Sequence, residues 1–112
     1  MKEILRLKEM LEKENIPFEF TDYKEMEGCH IAYPKYDETK KGVIKCDISV
    51  IQHKYSYGND VNLLEMWEMS KDDVEGYLSA EDVFERIKNH YEASYQQVTS
   101  KLQAVKDGGI DG

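Results

Sequence analysis

The sequence predicts an α+β domain: a four-stranded antiparallel meander with an N-terminal and a long C-terminal helix packed on one face, in the order α-β-β-β-β-α. Three observations carry this. Apolar residues recur at helical spacing at both ends of the chain, they alternate at period two between those ends, and the links between the alternating runs are short. Short links make consecutive strands antiparallel neighbours. With 112 residues, 40% hydrophobic and 34% charged, the chain fits a single domain, which we place at residues 1–106, with 107–112 as a disordered tail.

From Lys2 to Glu14, Ile4, Leu7 and Leu11 are spaced for one helical face, widened by Leu5 and Met10, with Lys and Glu filling the other positions. This is an amphipathic first helix. Asn15 tolerates a left-handed cap, and the Ile16-Pro17 step forces extended backbone, so the helix ends there. Phe18 and Phe20 then alternate with Glu19 and Thr21 up to Tyr23, giving strand one. A polar turn over residues 24–28 leads into Cys29, Ile31 and Tyr33 alternating with His30 and Ala32, and Pro34 stops this second strand. Residues 35–42 are polar and read as a solvated loop. Ile44, Cys46, Ile48 and Val50 alternate with Lys45, Asp47 and Ser49 to give strand three.

Residues 55–60 carry the Gly-Asn-Asp chemistry of a turn. Residues 62–69, with Leu64, Met66 and Trp67, read as a fourth strand in preference to a short helix. Residues 70–76 read as an acidic loop. Ser79 followed three residues later by Asp82 resembles a capping box and makes Ser79 the N-cap of the second helix. Its apolar stripe runs through Val83, Phe84, Ile87, Tyr91, Tyr95, Val98, Leu102 and Val105 until Asp107-Gly108-Gly109 breaks it. Such a helix of some 25 residues is about 38 Å long, whereas a strand of this sheet spans about 20 Å. The distal seam at Tyr91, Tyr95, Val98 and Leu102 therefore needs another surface, either a second copy of the chain in a homodimer or the first helix, and both coverings stay open.

Composition excludes more than it assigns. The N-terminus begins with charges, and no window approaches the ~20 apolar residues of a membrane span, so the expectation is a cytoplasmic protein without a membrane partner. The net charge of −8 opposes direct nucleic-acid binding, which draws its affinity from clustered Lys and Arg. Cys29 and Cys46 are too few for a disulfide framework. They share no Cys-x-x-Cys or His-Glu-x-x-His spacing with His30 or His53, and as neighbours on a strand Cys29 and His30 face opposite ways. No metal is expected, and the two histidines read as partly exposed. Glycine-rich phosphate loops and calcium loops are absent from the sequence, so no cofactor is implied.

Two groups of residues invite a site. His53, Tyr55 and Tyr57 alternate at strand spacing and, with Asp47, could present an imidazole, two phenols and a carboxylate to a ligand. Asp47 and Glu65 on neighbouring strands would mimic the paired acids of metal-dependent nucleases, but the lysine that should follow two residues after the second acid is replaced by Trp67. We assign no catalytic residue. The second group is acidic: the segment from Val61 to Glu92 holds about −6 of the total −8. Glu81, Asp82 and Glu85 lie where a helix dipole favours acids. Glu65, Glu68, Asp72, Asp73 and Glu75 lack that explanation and form the candidate surface for a basic protein partner. Tyr33, Tyr55, Tyr57, Trp67, Tyr77, Tyr91 and Tyr95 add aromatic interface candidates.

Tyr55-Ser56-Tyr57-Gly58 followed by Leu63-Leu64-Glu65, and Glu75-Gly76-Tyr77-Leu78-Ser79-Ala80-Glu81-Asp82-Val83-Phe84-Glu85-Arg86-Ile87, resemble small uncharacterised proteins of phages and prophages of Gram-positive bacteria. The likeness extends to the helix-to-strand entry from Met10-Leu11-Glu12 to Ile16-Pro17-Phe18. It implies an accessory protein in the host cytoplasm and carries no activity. The expectation is a non-enzymatic module that binds a host or phage protein, with inhibition of a nucleic-acid-binding or defence factor as one such role. The alternative is a small-molecule binder or a hydrolase-like or nuclease-like enzyme built on the His/Tyr/carboxylate group.

Overall fold

The computed structural model describes residues 1–35 and 46–94. It is an α+β fold with five strands where the sequence predicted four. Helix α1 (Glu3–Lys13) precedes β1 (Glu19–Tyr23), β2 (Gly28–Tyr33), β3 (Ile48–Gln52), β4 (Leu64–Glu68) and β5 (Asp73–Leu78), and helix α2 begins at residue 80. The sheet order is β1-β2-β3-β4-β5 with every neighbouring pair antiparallel, a meander as predicted. Both helices cover one face. Ile4, Leu7 and Leu11 of α1 and Ala80, Val83 and Ile87 of α2 share a core with Cys29, Ile31, Tyr33, Ile48, Val50, Leu64 and Met66 from the strands.

The end of α1 follows its sequence closely. Asn15 takes the left-handed conformation (φ 57°), its N–H donates to the Glu12 carbonyl at 3.1 Å, and the Ile16 N–H reaches the Leu11 carbonyl at 3.0 Å. These are the two bonds of a Schellman motif, and Ile16 and Leu11, both buried, supply its apolar contact. At the start of α2, the Asp82 N–H donates to Ser79 Oγ at 3.1 Å and the Ser79 N–H to Asp82 Oδ2 at 3.2 Å, the predicted reciprocal box.

Three expectations are corrected. The acidic loop predicted over residues 70–76 is mostly strand: only residues 69–72 turn, with Asp72 left-handed (φ 47°) and its N–H on the Glu68 carbonyl at 2.9 Å. From Asp73 the chain pairs with β4. Its acids masked it, but an outer strand carries charge readily because its far side faces water. Strand three begins at Ile48 rather than Ile44 and continues past Val50 to Gln52; residues 44–45 lie outside the described residues. Cys46 and Asp47 precede the strand, though Asp47 still bonds both neighbours, through its N–H to the Tyr33 carbonyl at 2.8 Å and its carbonyl to the Met69 N–H at 2.9 Å. Finally, His53, Tyr55 and Tyr57 do not lie on a strand but in a tight turn.

The distal seam is only partly in view. Tyr91 is half-buried against the core, whereas Tyr95, Val98, Leu102 and Val105 lie outside the described residues.

Candidate functional site

Residues 53–63, between β3 and β4, form a loop closed by hydrogen bonds within it and tied at Tyr57 and Asn62 to the rest of the fold. Ser56 is buried, its Oγ donating to the His53 carbonyl at 2.8 Å and accepting the His53 N–H at 3.0 Å. The Tyr55 N–H donates to His53 Nδ1 at 3.0 Å. Further along, the N–H groups of Val61 and Leu63 both reach the Gly58 carbonyl, at 3.1 and 2.9 Å. Two residues turn the chain with left-handed backbone, Gly58 (φ 101°) and Asn62 (φ 58°). Gly58 is required twice over, because a Cβ there would also lie 3.0 Å from the Tyr77 backbone.

The loop is fastened to the sheet at Tyr57. Its N–H donates to Glu65 Oε1 at 3.1 Å on β4, and its carbonyl accepts the Tyr77 N–H at 3.3 Å on β5. The ladder between β4 and β5 is irregular between Leu64 and Met66, and across from that irregularity Tyr77 itself is left-handed (φ 59°). A bulky residue in that region is uncommon and is held there by its surroundings. Gly76 leaves room for the approach, since a Cβ on it would sit 2.5 Å from that of Tyr57.

This fixed backbone carries exposed aromatic rings. Tyr55, Tyr57 and Tyr77 are 75%, 63% and 59% exposed, and Val61 of the same loop is 57% exposed. The Tyr55 ring meets His53 edge-on at 6.3 Å, and Lys54 Nζ lies 5.2 Å from its centroid. The structure thus brings His53, Tyr55 and Tyr57 together, adds Tyr77 and Glu65, and separates them from Asp47. Asp47 precedes β3 and His53 follows it, so about 20 Å of strand lies between them. Glu65 pairs with Ile51 at the same far end, which also dissolves the nuclease-like pairing of Asp47 with Glu65.

The acidic residues of β4 and β5 have internal partners. Arg86 of α2 donates two bonds to Glu75, at 3.0 and 2.9 Å, and a third to Glu68 at 3.3 Å. The Arg86 guanidinium holds the Glu75 carboxyl below the usual carboxylate range. Lys71 Nζ lies 3.8 Å from the other Glu68 oxygen. Asp72 accepts a long 3.4 Å bond from Trp67 Nε1, and Asp73 caps the Val74 N–H at 2.8 Å. Glu68 and Glu75 therefore tie the hairpin to α2, Asp72 and Asp73 bond within it and Glu65 holds the Tyr57 N–H, as well as charging its surface.

Cys29 and Cys46 are buried free thiols whose pKa values burial pushes up. His30 is buried rather than partly exposed. Its Nε2 lies 2.6 Å from Ser49 Oγ, and burial lowers its pKa to about 4, so the ring is neutral near pH 7. Among the described residues, no group of three or more His, Cys, Asp and Glu side chains could hold a metal ion, and no helix is long and apolar enough to cross a membrane.

His90 drew no attention in the sequence. It stands on α2 with Nε2 3.9 Å from Asp47 Oδ2 and its ring edge-on to Tyr33 at 5.4 Å. Its spacing from Val83 and Ile87 places it beside the core-facing stripe, a signal that shows which helix face it shares but not which strand end it meets. No family model, curated protein or solved structure matches the chain.

Proposed function

We propose that the protein is a non-enzymatic binding module that contacts a protein partner through Tyr55, Tyr57 and Tyr77, with Val61 and Glu65 at the margin. The observation that carries this reading is the combination of three tyrosines, each more than half exposed, with a backbone that is already fixed. Tyrosine supplies a large amphipathic contact with few rotors to freeze, and a preformed loop spares the ordering cost that weakens association. The acidic β4–β5 hairpin adjoins this surface and favours a partner with complementary basic groups. A phage-encoded accessory role against a host factor rests on the sequence resemblance alone.

Photo-crosslinking tests the reading. Benzoylphenylalanine placed at position 55, 57 or 77 should capture one common protein in cells, while the same group at exposed Lys13 should not. The triple variant Y55A/Y57A/Y77A should fold and lose the partner. Identical capture patterns at Lys13 and at the tyrosine positions would remove the proposal.

A further inference from the structure

At the opposite end of β3 from the tyrosines, a cleft of about 240 Å³ opens between the sheet and α2, lined by Asp47, Ile48, Glu68, Met69, Ser70 and His90. Its chemistry is uneven. Glu68 is largely buried and already meets Arg86 and Lys71. Asp47 is not matched in this way. Its side chain is 45% exposed, and the described group nearest to it that can carry positive charge is the His90 imidazole, at 3.9 Å too far for a hydrogen bond. Among the described residues, no Lys or Arg nitrogen lies within ion-pair distance of the Asp47 carboxylate.

We propose that this cleft binds an alkylammonium group, the cation lying against the Asp47 carboxylate and its carbon stem along Met69 and Ile48. An ammonium brings three N–H donors and no acceptor. The cleft presents acceptors to match: the Asp47 carboxylate and the Ser70 hydroxyl, with the His90 imidazole beside them. Tyr33, packed edge-on against His90, fixes the imidazole in place. Met69 is half exposed and Ile48 forms an apolar floor, so a short hydrocarbon stem has somewhere to lie. The volume is below that of a drug-sized site and suits a small amine or the end of a lysine side chain. Two neighbours register the negative field of Asp47: the Tyr33 phenol is pushed up to about 12 and the Cys46 thiol is raised, in both cases by burial first and by Asp47 second. Anionic ligands are disfavoured by the same field.

The test is an NMR titration of the full chain with butylammonium chloride, following the Met69 methyl and the His90 ring signals, with sodium chloride and butanol as controls. Butylammonium should shift these signals saturably, and neither control should reproduce the shifts. Asp47→Asn should weaken binding by about tenfold or more, as expected for losing a charge-assisted hydrogen bond. His90→Lys places a permanent cation beside Asp47 and should abolish binding, whereas His90→Gln should retain it. The side chains of His90 and Asp47 are 42% and 45% exposed, so these variants should keep the dispersed spectrum of the native fold. If Nα-acetyl-lysine methylamide binds more tightly than butylammonium, the natural ligand is a lysine of another protein. If it binds equally or more weakly, the ligand is a free amine. Absence of saturable shifts, equal shifts with sodium chloride, or unchanged binding in Asp47→Asn would overturn the proposal.

Discussion

Replacing Gln52 with methionine should destabilise the domain by about 2–3 kcal/mol although it keeps the side chain's volume. Gln52 ends β3, is 2% exposed, and serves helix α1 rather than the sheet. The N-cap of α1 is Lys2, which makes no side-chain cap, so the first N–H groups of the helix need other acceptors. Gln52 Oε1 takes the Ile4 N–H at 3.0 Å. Gln52 Nε2 donates at 2.8 Å to Asn62 Oδ1, which also accepts the Glu3 N–H at 3.0 Å. The Lys2 carbonyl receives Leu5 and Arg6, at 3.0 and 3.3 Å. Methionine would leave the buried Ile4 N–H without an acceptor, at a cost of about 1–3 kcal/mol, and would loosen Asn62. Its extra apolar burial offsets only part of that loss.

Urea unfolding followed by circular dichroism is the assay. With a slope of about 1–2 kcal/mol per M for a domain of this size, the midpoint should fall by about 1–3 M at unchanged slope. The melting temperature should drop by about 10–20 °C. Asn62→Gly retains the left-handed turn and removes the shared acceptor, so the double variant should lose about 1 kcal/mol less than the sum of the two single losses. A change in Gln52→Met below about 0.5 kcal/mol, or strict additivity with Asn62→Gly, would refute the shared cap.

Arg86→Met should cost about 1–2 kcal/mol because it strands the carboxylates of Glu68 and Glu75 near each other, and urea melts at low and high salt should show part of the loss recovered by screening. The His30 ring has a folded-state pKa of about 4 against an ordinary 6.5, so the unfolded chain binds the proton first as pH falls. The resulting stability is complete above pH 6.5 and drains away between 6.5 and 4, by at most about 3 kcal/mol. His30→Asn should flatten the stability profile in that window, which unfolding across a pH series would reveal. Gly58→Ala should destabilise by about 1–3 kcal/mol, since its φ of 101° and its 3.0 Å approach to Tyr77 both reject a Cβ. The same variant should weaken crosslinking from position 57, measured against the native loop.

The parts of the fold that were legible in the sequence are those whose signals are local. Asn15 before Ile16-Pro17 contains a complete helix stop, and Ser79 with Asp82 a complete start, because each motif closes its hydrogen bonds within a few residues. Strand β5 was missed for the opposite reason. Glu75 sits on a sheet position with Arg86, eleven residues later, bonded to it, and nothing near Glu75 in the chain announces that partner. A period-two reading scores such a residue as loop. Gln52 and Asn62 were equally opaque: each caps a helix about fifty or sixty residues away in sequence.

The same distinction governs the candidate site. The turn chemistry of Gly58-Asn59-Asp60 was visible, and so was the unusual number of tyrosines, yet His53, Tyr55 and Tyr57 were read at strand spacing. The alternation is accidental. Ser56, between the two tyrosines, turns inward and folds His53 back on itself, which sends Tyr55 and Tyr57 out to solvent from a turn. What makes the tyrosines a surface is the arrival of Tyr77 from β5, through a backbone bond that required the fifth strand to exist. The acidic run was the loudest feature of the sequence, but its charge is partly spent holding α2 to the β4–β5 hairpin. Asp47 is the contrasting case: an unremarkable residue in an alternating run, it precedes β3 by one residue and lines a cleft where α2 brings the His90 imidazole to 3.9 Å. In this chain, then, the density of charge was a poor guide to where charge is unmatched, because pairing is decided by residues distant in sequence.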